Sequence, residues 1–151
     1  MKEIYGDLWS YHSQGYTIAI TTNTSLNNKG ELVMGKGCAY EAKCRFPDLP
    51  IIFGNTLGGK HNQVVYIKCY RIFSFPVKVN WWEPAKPELI VRSAKELMRM
   101  KERHSQDLKG GGVIIGRPGC GAGGLQWVDV SKLVQGIFDD KIAMVTNVRG
   151  T

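Results

Sequence analysis

The sequence has no Cys-x-x-Cys or Cys-x-x-His pair, no long apolar run, and no Gly-Lys-Ser/Thr triplet after any of its glycine loops. Each absence excludes something. Cys38, Cys44, Cys69 and Cys120 are scattered, which argues against a zinc site or a disulfide framework and for reduced thiols. A membrane helix needs about 20 apolar residues, so no membrane partner is expected. The opening residues Met-Lys-Glu-Ile-Tyr-Gly-Asp lack the apolar core of a signal peptide, and residence in the cytoplasm is the expectation. Walker-type nucleotide binding needs the missing triplet. No metal and no cofactor are expected.

Acidic residues are also outnumbered. Thirteen Asp and Glu face 20 Lys and Arg, a net charge of +7. That balance favours anionic partners such as nucleotides or nucleic acid. The basic residues are dispersed, however. Lys95, Arg99, Lys101 and Arg103 fall on or near the polar face of one helical pattern. RNP motifs, helix-turn-helix patterns and zinc fingers are missing.

What the chain has in quantity is glycine, 18 residues in 151. The densest stretch runs Gly116-Arg117-Pro118-Gly119-Cys120-Gly121-Ala122-Gly123-Gly124-Leu125-Gln126-Trp127. The apolar run Val113-Ile114-Ile115 before it reads as a buried strand. After it, Val130, Leu133, Val134, Ile137 and Phe138 share one helical face. Glycine lets a ligand approach the main chain, and a helix start presents unpaired N–H groups with a partial positive charge. Strand, glycine loop and helix start together predict a phosphate receptor.

The length fits one domain, residues 1–151. Met1–Leu8 reads as a first strand and Tyr16–Thr22 as a second. Asn27-Asn28-Lys29-Gly30 is a turn. A second glycine loop, Val33-Met34-Gly35-Lys36-Gly37-Cys38-Ala39, leads into a short helix from about Gly37 to Phe46, which stops before Pro47. Leu57–Asn62 is a turn-rich bridge. Gln63–Cys69 and Tyr70–Val79 form one long strand or two. Pro87 opens a helix reaching about His104. The strand Val113–Ile115, a third helix, the strand Lys141–Val145 and a short tail, Thr146–Thr151, complete the chain. Alternation late in the chain implies parallel strands joined by crossover helices. The fold class is therefore α/β, a three-layer α/β/α sandwich with a mixed, largely parallel sheet. Ligands of such folds bind at the carboxyl ends of strands, where Asn23, Gly35–Gly37, Gly119–Gly124 and Asn147 would gather.

Gly119-x-Gly121-x-x-Gly124 fits the GxGxxG dinucleotide fingerprint. It lies in the last third of the chain, though, and the next strand ends Val145-Thr146-Asn147 rather than in an acid. Two glycine loops on one rim need another explanation. Gly6-Asp7-Leu8, Thr21-Thr22-Asn23, Met34-Gly35-Lys36-Gly37-Cys38-Ala39 and Gly119-Cys120-Gly121-Ala122-Gly123-Gly124-Leu125-Gln126-Trp127 together resemble the linked motifs of the macro domain, an ADP-ribose-binding module. The resemblance covers nearly the whole chain. Phe75-Pro76-Val77-Lys78, followed by Trp81, resembles a segment of the branch that contains the terminal ADP-ribose glycohydrolases and the DarG antitoxins.

This resemblance implies an ADP-ribose site built from Asp7, Leu8, Thr22, Asn23, Met34, Gly35, Lys36, Gly37, Cys38, Pro118, Gly119, Cys120, Gly121, Ala122, Gly123, Gly124, Leu125 and Asn147. Asp7 would accept from the adenine amino group, Gly119–Leu125 would wrap the diphosphate, and Asn23 would bond the distal ribose. It also implies Lys43 as the catalytic lysine, while Gly123 stands where the protein glycohydrolase has an aspartate. A free lysine has a pKa of about 10.4 and must be desolvated or crowded by positive charge to act near neutrality. The implied activity is hydrolysis of ADP-ribosyl linkages on nucleic acid or protein. ADP-ribose 1″-phosphate phosphatase activity and non-catalytic reading of ADP-ribose are the alternatives. A monomer is expected. From the residues alone, Trp81 and Trp82 are expected to pack over the sheet, His12, His61 and His104 to lie at the surface, and Cys120 to be a small packed residue.

Overall fold

The computed structural model describes residues 1–58 and 63–146. Its centre is one six-stranded sheet in the order β1-β6-β5-β2-β4-β3. The strands are β1 (Lys2–Tyr5), β2 (Ile18–Thr22), β3 (Tyr66–Ile67), β4 (Ile72–Pro76), β5 (Val113–Gly116) and β6 (Ile142–Thr146). All neighbours pair parallel except β3, which runs antiparallel along β4. The helices are α1 (Leu8–Ser13), α2 (Gly37–Arg45), α3 (Leu49–Leu57), α4 (Pro87–Arg103) and α5 (Trp127–Val134). This is the mixed, largely parallel three-layer arrangement expected from the sequence.

Strand alternation divides the apolar residues between two cores. Ala19, Phe73, Phe75, Val113, Ile115 and Met144 point to one face, where Ile90, Ala94 and Leu97 of α4 and Val130 and Val134 of α5 cover them. Ile18, Ile20, Ile72, Ile114 and Val145 point to the other, under Leu8 and Trp9 of α1, Ala39 and Ala42 of α2, and Leu49 and Phe53 of α3. Burial on both faces explains why β2, β4 and β5 read as nearly continuous apolar runs rather than alternating ones. Each large side chain buried this way contributes about 1.5–3 kcal/mol.

The connections fix where a ligand can enter. From β2 the chain moves outward to β4 and β3, while from β5 it moves the other way to β6. Strands β2 and β5 are neighbours, paired at Ile18 with Ile114 and Ala19 with Ile115. The loop after β2 leads to α2 on one face, and the loop after β5 leads to α5 on the other. A crevice therefore opens between them at the carboxyl ends of the strands.

Several expectations are corrected. The first strand ends at Tyr5 rather than Leu8, because Leu8, Trp9 and His12 bury one side of the short helix α1. Its six residues are too few to show a helical period. Helix α3 was not expected at all. Pro50 sits in its first turn, where a missing N–H costs nothing, and Gly54 lies inside it because a Cβ there would strike the Gly30 carbonyl oxygen. Strands β3 and β4 are separate, divided by a 3-10 turn at Lys68–Tyr70 and by Arg71 at φ 56°. Helix α5 ends at Val134, although the Phe138 N–H still bonds the Val134 carbonyl at 2.9 Å. His12 is buried, not superficial, and its Nε2 donates to the Tyr70 carbonyl at 2.7 Å. His61 and part of the Leu57–Asn62 bridge lie outside the described residues, as does the tail from Asn147 onward. Among the described residues no helix is long and apolar enough to cross a membrane, and no cluster of three metal-ligating side chains occurs.

One buried charge ties the α4 face together. Lys101, 2 % exposed, reaches Asp139 at 3.0 Å and Glu102 at 2.9 Å. Burial alone would lower the lysine, but its two carboxylate partners hold it above its ordinary value. Burial alone would raise Asp139, but the bond from Lys101 holds its carboxyl below the ordinary 3.8. The depressed acid stabilises the fold above its unfolded pKa and loses that contribution as pH falls through the lower folded value. The raised lysine stabilises below its unfolded pKa and loses its contribution as pH rises through the higher folded value. Lys101→Ala is expected to cost about 1–3 kcal/mol for a lost charged hydrogen bond. The lower end applies because Asp139 is 38 % exposed and solvent screens it. Denaturant titrations of both proteins from pH 2 to 7 check this: the difference in stability narrows below about pH 4.

Candidate functional site

The crevice between β2 and β5 holds a cavity of about 940 Å³, at the upper end of the roughly 300–1,000 Å³ of small-molecule sites. One wall is the end of β2 with the loop into α2: Thr21, Thr22, Asn23, Val33, Gly35, Lys36, Gly37, Cys38, Ala39 and Glu41. The opposite wall is Gly116, Arg117 and the run Gly119–Trp127. Asp7 and Leu8 after β1, Val145 and Thr146 of β6, and Val77, Lys78 and Trp81 after β4 close the ends.

The glycine wall is a folded loop with amides left over. Within it, the Cys120 N–H bonds the Arg117 carbonyl at 3.3 Å, the Gly124 N–H bonds Gly121 at 3.1 Å, and the Leu125 N–H bonds Gly119 at 2.9 Å. The amides of Gly119, Gly121, Ala122 and Gly123 have no protein acceptor among the described residues. The first turns of α2 and α5 open onto the same space, at Gly37–Ala39 and Trp127, and add the partial positive charge of helix starts. Backbone polar groups need a partner, and converging free N–H groups suit an anion.

Side chains sharpen the picture. Asp7 occupies the position before α1 without making a capping bond, which leaves its carboxylate free in the cavity. Asn23 is committed: its Nδ2 donates to the Val33 carbonyl at 3.0 Å and its Oδ1 accepts the Ser25 N–H at 2.9 Å. It thus pins the Val33 segment to the end of β2, with hydrogen-bonding capacity to spare. The Thr22 hydroxyl and the Arg117 Nε are buried without a partner, and both residues line the cavity. A buried polar atom left unpaired costs about 1–3 kcal/mol, which a ligand would relieve. Burial, and then the neighbouring Lys36 charge, push the Lys78 ammonium below its ordinary value. Burial pushes the Cys38 and Cys120 thiols up. Cys38 lies 3.3 Å from the Thr21 hydroxyl, and Cys120 donates to the Pro118 carbonyl at 3.6 Å. Both are packed thiols rather than thiolates.

Two glycines are required by shape. A Cβ on Gly119, at φ 76°, would stand 2.8 Å from Ile90 Cδ1. A Cβ on Gly123 would stand 2.6 Å from the Gly119 carbonyl oxygen and 2.7 Å from the Ala85 Cβ, and the Ala85 N–H bonds the Gly123 carbonyl at 3.0 Å. Gly123 is therefore walled in by the segment leading to α4. Gly35 and Gly121 differ: a Cβ on either would meet nothing within 4 Å, so the space beside them is open.

Of the site residues expected from the sequence, Asp7, Leu8, Thr22, Asn23, Gly35, Lys36, Gly37, Cys38 and the run Gly119–Leu125 line this one cavity. Met34 is buried in the core beneath the wall, and Pro118 is buried behind the loop. Lys43 is exposed on α2 and does not line the cavity; Glu41, two residues earlier, does. Asn147 lies outside the described residues. Lining residues not in the expected set include Thr21, Glu41, Lys78, Arg117 and Trp127. The Arg117 guanidinium lies 5.0 Å from the centre of the Trp127 ring. Arg117 and Trp127 flank the glycine stretch, and Lys78 follows the Phe75-Pro76 pair, so all three had a signal. Glu41 had none. Trp81 and Trp82 do not pack over the sheet: they sit in a turn past the end of β4 and are 48 % and 65 % exposed.

No family profile matches the sequence. The chain is 30 % identical over 112 residues to the DNA ADP-ribosyl glycohydrolase of Thermus aquaticus, a match that covers 68 % of this chain and 30 % of that relative. The chain thus spans about 30 % of the length of the curated relative it matches. Among solved structures it is similar to the macrodomain of Mycobacterium tuberculosis DarG, with TM-score 0.69, 25 % identity, and 95 % and 96 % of the two chains covered. It also resembles Thermosipho africanus DarTG in complex with ADP-ribose, with TM-score 0.69 and 20 % identity, covering 100 % of this chain and 43 % of that one.

The walled position makes a prediction about the loop. Gly123→Asp forces backbone and Ala85 apart and is expected to cost about 1–3 kcal/mol, the usual range for overpacking. Gly121→Ala, facing open space, is expected to change stability by less than about 0.5 kcal/mol. Thermal unfolding of the two variants beside the parent checks this, and equal losses would contradict it.

Proposed function

We propose that this chain, a macro domain similar to those of DarG, binds ADP-ribose in the crevice between β2 and β5 and releases it from a modified macromolecule. The observation that carries this reading is the set of amides without a protein acceptor at Gly119, Gly121, Ala122 and Gly123, in a loop that lines the cavity together with a second glycine segment. A diphosphate fits the amides, with Lys36 and Lys78 as countercharge. The free Asp7 carboxylate can accept from an adenine amino group. Thr22, Asn23 and the passage of Gly35–Cys38 suit the hydroxyls of the distal ribose. The reading takes the chain as a cytoplasmic monomer, and the name of the Thermus aquaticus relative supports nucleic acid as the carrier of the modification.

Hydrolysis would break the bond from the anomeric carbon to the attached base or side chain. Water supplies a hydroxyl to that carbon and a proton to the leaving atom. Lys43 is the proposed proton-transfer or nucleophilic group, two residues along α2 from the cavity-lining Glu41. A second reading, binding without turnover, is favoured by two observations: Gly123 has no room for an acid, and Lys43 is exposed.

Three outcomes are expected. Calorimetry detects ADP-ribose binding by the parent chain. Gly121→Val, which adds bulk to the loop lining the cavity where a Cβ meets no neighbour, lowers that affinity by about tenfold or more, the value of one or two hydrogen bonds to a charged group. Lys43→Ala binds ADP-ribose within a few-fold of the parent but slows its release from ADP-ribosylated DNA by about 10²–10⁴, the range of general acid–base catalysis. Undiminished release by Lys43→Ala refutes the lysine mechanism. Tight binding with no release by the parent chain identifies a reader.

A further inference from the structure

The proposed hydrolysis needs a group that takes a proton from water. Lys36, Lys78 and Arg117 line the cavity, but a protonated ammonium or guanidinium has no lone pair to offer. A diphosphate beside Lys36 and Lys78 holds both in that charged form. Burial pushes the Cys38 and Cys120 thiols up, away from the thiolate. No histidine is among the lining residues. Two carboxylates remain, Asp7 and Glu41.

The sheet keeps these two apart. Asp7 follows β1, while α2, which carries Glu41, packs beside β2. In the order β1-β6-β5-β2 the two strands are three spacings apart, roughly 14 Å. Asp7 thus stands at one end, as the adenine partner in the reading above, and Glu41 at the other. The first turn of α2 is drawn onto the end of β2 by Cys38, whose Sγ lies 3.3 Å from the Thr21 hydroxyl. Glu41 is three residues further along α2, so it shares the helix face of Cys38. The distal ribose, with its anomeric carbon, is placed against Gly35–Cys38. The Glu41 carboxylate also has no other task. Arg45 bonds the Glu41 main-chain carbonyl at 3.4 Å, not the carboxylate. Among the described residues that carboxylate enters no hydrogen bond and no ion pair.

We propose that Glu41 is the catalytic carboxylate of this site: it takes a proton from the attacking water and faces the positive charge that builds at the anomeric carbon. This rests on the reading of the cavity as a place where ADP-ribose is bound and released. The water oxygen bonds the anomeric carbon as the bond to the attached base or side chain breaks. The electron pair of that bond leaves with the departing atom. Glu41 takes one proton from the water, and the departing atom gains one from a lysine ammonium or from solvent. Proton exchange with solvent then restores the protein groups, so the sum is one water consumed. Glycosyl hydrolysis passes through an oxocarbenium-like state of this kind, and carboxylates are the side chains that commonly serve it. Position 123 has no room for an acid; Glu41 supplies one from α2.

Glu41→Gln keeps the shape of the side chain and removes its charge and its basicity. Because Glu41 is exposed and unpaired, the fold is expected to tolerate the change. The full chain is assayed for ADP-ribose release from ADP-ribosylated DNA, with ADP-ribose affinity measured separately by calorimetry. Glu41→Gln is expected to lower kcat by about 10²–10⁴, the range of general acid–base catalysis. KM and ADP-ribose affinity are expected to stay within about threefold, the binding groups being untouched. Glu41→Asp, which retains a carboxylate, is expected to recover part of the loss. Added formate is expected to speed Glu41→Ala with rising concentration and to leave the parent unchanged, a response that damaged structure does not give. Release by Glu41→Gln at the parent's rate overturns the proposal, as does a loss confined to KM. A loss that comes with a lower unfolding temperature, and that neither Glu41→Asp nor formate relieves, makes Glu41 structural and overturns it as well. ADP-ribose binding without release by the parent overturns the hydrolysis reading and this assignment with it. Absence of ADP-ribose binding overturns the cavity reading itself.

Discussion

The structure turns on the close approach of main chain to ligand space at one seam, the carboxyl ends of β2 and β5. Neighbouring parallel strands whose onward connections diverge leave a gap that no side chain fills. Here glycines border that gap on both sides. The β5 loop spends some of its amides on its own closure, at Gly124 and Leu125, and leaves others unpaired at Gly119, Gly121, Ala122 and Gly123. Side chains in these positions would either collide, as at Gly119 and Gly123, or stand in open space, as at Gly35 and Gly121. Shape and hydrogen-bonding capacity therefore come from the same residues.

The two hydrophobic layers hold the seam in place. Because β2 and β5 alternate their side chains between the α4–α5 face and the α1–α2–α3 face, both strands are clamped from two sides. The loops at their ends inherit that rigidity. Asn23 carries it further, since its amide joins the end of β2 to Val33. Ala85 does the same on the other side, where its N–H and its methyl group fix Gly123. That packing also bears on chemistry. An acid at position 123 has no space, so the proposed hydrolysis would have to draw on other groups; Lys43, the residue proposed for it, is exposed on α2, whereas Lys36 and Lys78 line the cavity.

Much of this was legible in the residues. Continuous apolar runs at Ile18–Ile20 and Val113–Ile115 marked central strands, and Pro87 with the spacing of Ile90, Ala94 and Leu97 marked α4. The linked glycine motifs gave both walls of the cavity. What escaped had physical reasons. Helix α1 is too short for periodicity. Helix α3 contains Pro50 and Gly54, which normally break helices, and both are tolerated by their positions rather than by propensity. Lys78, Arg117 and Trp127 sit beside the motifs, and only the assembled loops reveal that they face inward. The exposure of Trp81 and Trp82 depends on a turn anchored by Ser25, 56 residues earlier in the chain, a contact no local pattern encodes.

The most direct test is a crystal structure of the chain with ADP-ribose. The account predicts diphosphate oxygens within about 2.7–3.2 Å of amide nitrogens in the Gly119–Leu125 loop, and the adenine amino group beside the Asp7 carboxylate. A diphosphate bound elsewhere, or a loop that leaves those amides facing solvent with the nucleotide in place, would contradict it.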